Sequence, residues 1–222
     1  MIQADYRDGK KLYRVQTRKL PSVSMLISEL TGERFEDVPL DTLRKAQQEG
    51  TGAHRLACEY ARWKPGDPAV WDASMPSDYP GTPDEWNQAM GKVNEAVASF
   101  LHKYEVDTLA VEQPSVCTPY GFAGQPDMKA ELTVKGKRVR AVIDYKRVAG
   151  LSDGHRLQVQ AYRLLDGYRE ASHGFILWLK KGGGYELVTV KNDPHDKAAI
   201  LAAATLLQWK IKHGKLDAQN IW

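Results

Sequence analysis

The residues best suited to chemistry are two aspartates and a lysine that a predicted β-hairpin brings together. Asp144 and Lys146 lie two residues apart, so they share one face of a strand, and Asp127 lies on the preceding strand. Carboxylates bind hard cations such as Mg²⁺, which usually also hold waters and substrate phosphates. A lysine beside them could orient a water molecule or stabilise charge on a phosphate. Together these groups predict metal-assisted hydrolysis of a phosphodiester bond.

The register of this hairpin places the two aspartates opposite each other. Lys135-Gly136 separates two alternating runs, as in a two-residue hairpin loop whose glycine takes a positive φ. Counting outward from this loop pairs Asp127 with Asp144. Like charges directly opposite each other destabilise a sheet, so we expect a divalent cation to compensate them. The alternative is a surface hairpin in which Lys146 neutralises one aspartate.

The elements around the hairpin are predicted to form a mixed sheet flanked by helices. Strands are predicted at 11–17, 107–114, 127–134, 137–148, 174–181 and 185–191. Helices are predicted from Pro21-Ser22, over 40–63, from Thr82 to about Tyr104, over 155–170 and over 194–213. Gly50 and Gly52 indicate a break or close packing in the second helix. We therefore expect one α/β domain over 1–222, with a mostly helical part at 1–105 and a mixed-sheet core at 106–222.

Composition excludes several classes of protein. The 222 residues are 42% hydrophobic and 27% charged, as in an ordinary globular protein. No apolar run approaches the roughly 18 residues that span a bilayer, and the charged N-terminus lacks the apolar segment of a signal peptide. These features predict a cytoplasmic protein with no membrane partner. The net charge of +3 is compatible with a polyanionic partner without requiring one. The proline-rich segment 64–84 is predicted to be a loop, long enough for a lid or an insertion.

The hairpin residues resemble the PD-(D/E)XK nuclease superfamily. Pro126-Asp127 reads as P-D, and Asp144-Tyr145-Lys146 reads as D-X-K. The order, with the aspartate one hairpin before the D-X-K strand, is also the family's order. The resemblance implies a restriction-endonuclease-like fold, with a mixed central β-sheet between helices.

Further motifs resemble the RecB-like branch of that superfamily, and together they span residues 20–180. Gln158 and Tyr162 fit its QxxxY helix motif, and residues 50–54 resemble its G-T-x-x-H helix, which ends here at His54. Glu112 resembles a glutamate on the strand before the hairpin. The sequence LPSVSMLI resembles the opening of mitochondrial genome-maintenance exonucleases and related phage nucleases.

The resemblance also implies a role for each metal-site residue. Asp127 and Asp144 would bind one or two Mg²⁺ or Mn²⁺ ions, with His54 as a further ligand and the backbone carbonyl of Tyr145 as another. Lys146 would position or activate the attacking water.

Other residues would contact the substrate or support the site. Gln158 and Tyr162 lie four apart on one helix face, which the family places beside the DNA backbone. Arg147 follows the lysine where the family often has threonine, and it is a candidate substrate contact. Glu112 would orient another group or act as an outer ligand. Some relatives carry a four-cysteine iron–sulfur cluster, which the chain's two cysteines cannot build.

Each residue also has a simpler interpretation. A lone helix histidine such as His54 is more often structural. Gln158 could be a solvated helix residue, Tyr162 could be half-buried packing, and Glu112 could form an ordinary salt bridge.

The basic and aromatic residues are equally open to two interpretations. The cations around the hairpin could follow a phosphate backbone or protect a sheet edge; they are Lys135, Lys137, Arg138, Arg140 and Arg147. Most aromatic residues near the proline-rich loop are expected to be packing residues, and one or two could stack on bases; they are Trp63, Trp71, Tyr79 and Trp86.

The sequence thus predicts a metal-dependent DNA exonuclease, stand-alone and phage-encoded or bacterial, that leaves a 5′-phosphate. Its role would be in DNA recombination, repair or replication, in the cytoplasm of a bacterial or phage-infected host cell. A recombinase or single-strand-binding protein is a candidate partner, while the oligomeric state is left open. The alternatives are a structure-specific endonuclease of the same superfamily and a non-catalytic DNA-binding module.

Overall fold

A computed structural model of the chain describes residues 2–7, 10–15, 18–32, 39–63 and 73–216. The helices are α1 (Val23–Thr31), α2 (Leu40–Arg62), α3 (Pro83–Lys103), α4 (Asp153–Tyr162) and α5 (Pro194–Lys212). The strands are β1 (Ile2–Arg7), β2 (Lys10–Val15), β3 (Arg18–Leu20), β4 (Asp107–Val111), β5 (Ser115–Cys117), β6 (Phe122–Gly124), β7 (Met128–Val134), β8 (Lys137–Lys146), β9 (His173–Leu179) and β10 (Tyr185–Val190). Among these helices, none has the length and apolar character needed to cross a membrane.

The centre of the fold is a five-stranded mixed sheet in the order β10-β9-β8-β7-β4. β8 and β9 are parallel and α4 lies between them in the chain, whereas the other neighbouring pairs are antiparallel. The predicted hairpin joins β7 to β8, and its ladder runs from the loop to Met128 opposite Ile143. Lys135 and Gly136 have φ angles of 50° and 73°, the paired positive angles of a type I′ turn. The predicted register is confirmed over this ladder.

Helices cover both faces of the sheet. α2 and α3 pack on one face through a core that includes Trp86, Phe100 and Ile143. α1, α4 and α5 form a second core, which includes Val142 from the opposite face of β8. This arrangement confirms the predicted mixed α/β class and is consistent with a restriction-endonuclease-like fold. The N-terminal part contributes three helices, as expected, and also a three-stranded sheet of β1, β2 and β3, of which the sequence predicts only one strand.

α2 is one continuous helix despite its two glycines. At Gly52, a Cβ atom would lie 2.6 Å from Cη2 of Trp86, so α3 approaches α2 more closely than an alanine would allow. Of the two expectations for this region, close packing is therefore correct at Gly52. The partner helix α3 begins at a capping box, in which the side chains of Thr82 and Glu85 each accept from the other's backbone N–H.

Two predicted boundaries are wrong. β4 stops at Val111, because Glu112 takes a left-handed φ of 48° and leaves the strand. α4 ends at Tyr162 instead of continuing to residue 170, and the chain then turns. The backbone N–H of Asp166 donates to Val116 of β5, so the turning segment is held to a small sheet of β5 and β6 that the sequence does not predict.

The predicted loop at 64–84 falls partly outside the described residues, which omit 64–72 and therefore Trp71. Residues 73–82 contain no helix or strand, as expected. The rings of Tyr79 and Trp86 pack edge to face with centroids 5.1 Å apart, and both side chains are buried. Trp63, at the end of α2, is 41% exposed.

Candidate active site

Asp127 is held at the end of the hairpin by three neighbouring segments. Its Oδ2 accepts a hydrogen bond from the backbone N–H of Tyr145 at 2.7 Å. Its Oδ1 lies 2.8 Å from Nε2 of His54, and its backbone carbonyl accepts from the N–H of Glu112 at 3.0 Å. Burial alone would raise the pKa of this carboxyl, but His54, Lys146 and the Tyr145 N–H together hold it below its usual range. Asp127 is therefore a buried carboxylate that faces α2.

Asp144 is a fully buried carboxylate on β8. It comes one position after Ile143, where the ladder to β7 ends, so it lies next to the position of Asp127. Its Oδ2 is 2.5 Å from Nζ of Lys146, and apart from this ion pair neither oxygen has a hydrogen-bond partner among the described residues. Burial raises the pKa of Asp144 to about 6, with Lys146 opposing the shift and Asp127 adding to it.

Lys146 also stays charged in this buried setting. Burial alone would lower the pKa of its ammonium, but Asp144 and Asp127 raise it. Asp144 and Lys146 occupy alternate positions with Val142, so their side chains leave β8 on the face that α4 covers. The two aspartates therefore lie at neighbouring positions at one end of the sheet, with Asp127 in contact with α2 and Asp144 on the face that α4 covers, and their charges interact.

His54 is the contribution of α2 to the site. Burial alone would lower the pKa of its imidazole, but contacts with Asp127 and Cys58 raise it to about 11. Cys58 and Arg62 follow at intervals of four residues, so they lie on the same helix face. The Cys58 sulfur lies 3.9 Å from Nδ1 of His54. In the absence of a cation, a charged histidine is thus the direct partner of Asp127.

Glu112 lies beside His54 because of its unusual backbone. A φ of 48° is uncommon for a residue other than glycine, and such conformations cluster at functional sites. Its Oε1 lies 3.8 Å from Nδ1 of His54, and its Oε2 lies 2.5 Å from the guanidinium of Arg62. The structure therefore brings Glu112 to the site, where it also forms the salt bridge that the simpler interpretation predicts.

Three of these side chains, His54, Glu112 and Asp127, line a cavity of about 150 Å³. Its walls are Tyr13, Ser22, Val23, Ser24, His54, Glu112, Gly124, Gln125, Asp127 and Tyr162. A larger groove of about 910 Å³ runs beside Trp63 and Leu109, but neither His54 nor an aspartate of the pair lines it. We place the site at the smaller cavity because Asp127, His54 and Glu112 line it, while Asp144 and Lys146 lie on β8 next to the position of Asp127.

The start of α1 reaches this cavity through β6. The Ala123 N–H donates to the Pro21 carbonyl at 3.0 Å, and α1 then begins with Ser22 as its N-cap. Gly124 permits this approach, because a Cβ there would lie 2.8 Å from Val23 Cγ2 and 2.9 Å from Tyr162 Cε1. The sequence LPSVSMLI and the residues before Asp127 are therefore neighbours in space.

α4 contributes the two residues of the QxxxY motif. The Gln158 side-chain amide donates to the Tyr162 hydroxyl at 2.8 Å. Tyr162 is buried and lines the cavity. Burial, reinforced by Asp144 and Asp127, raises the pKa of its phenol well above the usual value.

Arg147, a predicted substrate contact, is not among the residues that line the cavity. Its side chain is 3% exposed and pairs with Glu49 of α2 at 3.3 Å, and it also donates to the Lys180 carbonyl at 3.4 Å. Glu49 accepts from the Tyr79 hydroxyl as well, at 2.9 Å. Arg147 therefore lies in a buried cluster with Glu49 and Tyr79, and its contact with a substrate stays a prediction. The Tyr145 side chain also points into the core, where its hydroxyl contacts the Met128 sulfur at 3.3 Å.

The donor set fits a divalent cation. Two carboxylates buried side by side, one with oxygens that lack hydrogen-bond partners, are the ligands that hard cations prefer. His54 and the Lys146 ammonium neutralise them here. A second set of ligand atoms, from His54, Cys58 and Glu112, lies within 4.8 Å of one another.

Several residues of the site escape prediction. The positions of Cys58 and Arg62 could have been predicted, since both follow His54 at four-residue intervals and so lie on the same face of α2. Ser22 and Ser24 belong to the LPSVSMLI motif and Gln125 precedes Pro126-Asp127, but only the packing of α1 on β6 shows that they reach the cavity.

Comparisons with known proteins do not assign the chain to a family. No family model matches it, and no curated protein matches it significantly. The solved structures that it resembles include the crystal structure of SSO0001, at 15% identity and a TM-score of 0.33, covering 82% of this chain and 84% of that one. They also include the crystal structure of a "Putative exonuclease" from Eubacterium rectale, at 13% identity and a TM-score of 0.34, covering 83% of this chain and 88% of that one. Likenesses this weak assign neither a family nor an activity.

Proposed function

We propose that this chain is a metal-dependent DNA exonuclease with a PD-(D/E)XK site. One observation carries the proposal: Asp127 and Asp144 lie together at one end of the sheet, buried, with Lys146 and His54 as their charged partners. Burying two carboxylates side by side is costly unless cations compensate them. Binding of a catalytic cation at this site would explain why two carboxylates are buried here.

Each residue then has a role that its position supports. Asp127 and Asp144 hold one or two Mg²⁺ or Mn²⁺ ions, with His54 and the Tyr145 carbonyl as further ligands. The bound metal supplies Lewis-acid activation of water and of the scissile phosphate. Lys146, paired with Asp144 at 2.5 Å, orients the attacking water. Glu112 orients His54 through the contact at Nδ1.

The cavity suits a phosphate group of DNA. The first turn of α1 lines it, and free backbone N–H groups at a helix start attract phosphate. Tyr162, supported by Gln158, forms another part of the wall and would contact the nucleic-acid backbone. The whole chain would act as one nuclease domain, with α2 and the sheet each supplying ligands. Its pathway would be recombination, repair or replication, alongside a recombinase or single-strand-binding protein.

The test is cleavage of three DNA forms by the purified chain. End-labelled single strands, linear duplex and covalently closed circles are incubated with Mg²⁺, Mn²⁺ or EDTA. An exonuclease degrades a linear form only with a metal and leaves closed circles intact. Cleavage of the circles would replace the proposal by an endonuclease, and DNA binding without cleavage under every divalent ion would replace it by a binding module.

A further inference from the structure

We propose that His54, Cys58 and Glu112 form a second cation site, selective for a soft divalent cation such as Zn²⁺, beside the aspartate pair. One ligand atom of each residue lies within 4.8 Å of the other two. None of the roles proposed above uses the Cys58 sulfur. The second site explains why this sulfur is buried and why it lies near a histidine and a carboxylate.

The spacing of the ligand atoms suits zinc. Nδ1 of His54 lies 3.8 Å from Oε1 of Glu112 and 3.9 Å from Sγ of Cys58. Ligands about 2.0–2.3 Å from a tetrahedral zinc are separated by roughly 3.3–3.8 Å. The two distances from His54 are therefore close to zinc-ligand separations, and the Cys58 and Glu112 atoms, which lie within 4.8 Å of each other, would have to move closer together. Three protein ligands also leave a fourth position for water.

The identity of the ligand atoms sets the preference between cations. Thiolate and imidazole favour zinc and its soft relatives, whereas Mg²⁺ and Mn²⁺ prefer oxygen. Asp127 and Asp144 offer only oxygens, so the two sets differ in chemistry although they share His54. A buried cysteine is often only a small core residue, but Cys117 provides the contrast. It is also buried, but its neighbours are Arg169, the Tyr120 backbone and Asp166, and no histidine is among them.

Glu112 is already oriented for this role. Arg62 holds Oε2, which leaves Oε1 directed at His54. When zinc binds, the Cys58 thiol and the Nδ1–H group of the charged His54 would each give up a proton to the buffer, and the thiolate and the imidazole nitrogen would each donate an electron pair to the metal.

Occupancy of this site would inhibit the nuclease, a consequence that rests on the proposed function. His54 lies between the two sets of ligands, with Nε2 toward Asp127 and Nδ1 toward Glu112. Zinc bound by Cys58 and Glu112 would hold the His54 ring at the second site. His54 could then no longer bind a cation together with Asp127. Binding itself does not depend on whether the chain cleaves DNA.

The binding test uses Cd²⁺, because cadmium–thiolate bonds absorb in the ultraviolet. The metal-free chain is titrated beside Cys58→Ala and the matched control Cys117→Ala. We expect one equivalent to produce the absorption band in the parent and in Cys117→Ala. Cys58→Ala loses the band and binds Cd²⁺ at least about 10-fold more weakly. Glu112→Gln keeps the band and binds more weakly.

Three results would overturn the site: no band in the parent, a band that survives Cys58→Ala, or an unchanged affinity in Glu112→Gln. Circular dichroism of each variant verifies folding.

A separate assay measures Mg²⁺-dependent cleavage with added Zn²⁺, and the rate of each variant is compared with its own rate without zinc. Zinc should inhibit the parent and Cys117→Ala, and should inhibit Cys58→Ala at least about 10-fold less effectively. Equal inhibition of all three would refute the regulatory consequence. If no protein cleaves DNA at all, the proposed function fails, while the cadmium band still decides the site.

Discussion

Nε2 of His54 lies 2.8 Å from Oδ1 of Asp127, and this contact joins the long helix α2 to the residue that precedes the β7–β8 hairpin. The two residues are 73 positions apart in the chain, so tertiary packing alone brings them together. Because Asp127 also accepts from the Tyr145 backbone, one carboxylate fixes the relative position of α2, β7 and β8.

Replacing His54 by glutamine should weaken metal binding. The variant removes an imidazole ligand and the charged partner of Asp127, so we expect the affinity for Mn²⁺ to fall at least about 10-fold. Isothermal titration calorimetry measures this change. His102→Gln, at an exposed position of α3, is the control and should bind as the parent does. Equal affinities for parent and His54→Gln would exclude His54 as a ligand.

Replacing Lys146 by methionine should separate catalysis from binding. The methionine keeps most of the side-chain volume but cannot orient water, so cleavage should fall by about 10²–10⁴-fold. DNA affinity measured with Ca²⁺ should stay within a few fold of the parent. Lys103→Met, at an exposed position of α3, should cleave normally. A Lys146→Met enzyme as fast as the parent would remove the lysine from the mechanism.

The two glycines of α2 should respond oppositely to alanine. A Cβ at Gly52 would lie 2.6 Å from Trp86, so Gly52→Ala should lower the free energy of unfolding by about 1–3 kcal/mol. A Cβ at Gly50 would meet nothing within 4 Å, so Gly50→Ala should raise it by about 0.5–1 kcal/mol. Urea denaturation measures both values. If both substitutions change the free energy of unfolding in the same direction, the helix packing described above is contradicted.

Tyr79 should make stability fall at alkaline pH. Burial and its hydrogen bond to Glu49 raise the pKa of this phenol from 10.0 to about 12. The unfolded chain therefore loses the tyrosine proton from about pH 10, whereas the folded chain keeps it until about pH 12. The contribution of the Tyr79 phenol to the free energy of unfolding is complete below pH 10 and is lost as the pH rises toward 12. The unfolding free energy of Tyr79→Phe, measured over this range, should decline less steeply than that of the parent; identical slopes would refute the assignment.

The parts of the site that the sequence predicts are those fixed by local rules. The loop at Lys135-Gly136 determines the hairpin register, and with it the neighbouring positions of Asp127 and Asp144. The contact between Gln158 and Tyr162 likewise follows from their four-residue spacing, which places them on one face of a helix. These relations need only short stretches of sequence.

The features that escape prediction depend on distant partners. Arg147 is buried because Glu49, 98 residues away, pairs with it. The left-handed backbone of Glu112, which ends β4 early, has no signal in the residue type. α4 ends before the predicted boundary, and the turn that follows is held to β5, which is itself too short to show a pattern.

The most direct test of the metal site is the cleavage rate of Asp144→Asn on linear DNA with Mg²⁺. Asparagine keeps the shape of the buried side chain but removes its charge, so cleavage should fall at least about 10³-fold. The control is Asp107→Asn, which changes an exposed aspartate of β4 and should retain the parent rate. Metal-dependent cleavage by the parent and the control, with none by Asp144→Asn, is the predicted result. Cleavage by Asp144→Asn at the parent rate would contradict the catalytic role of the aspartate pair.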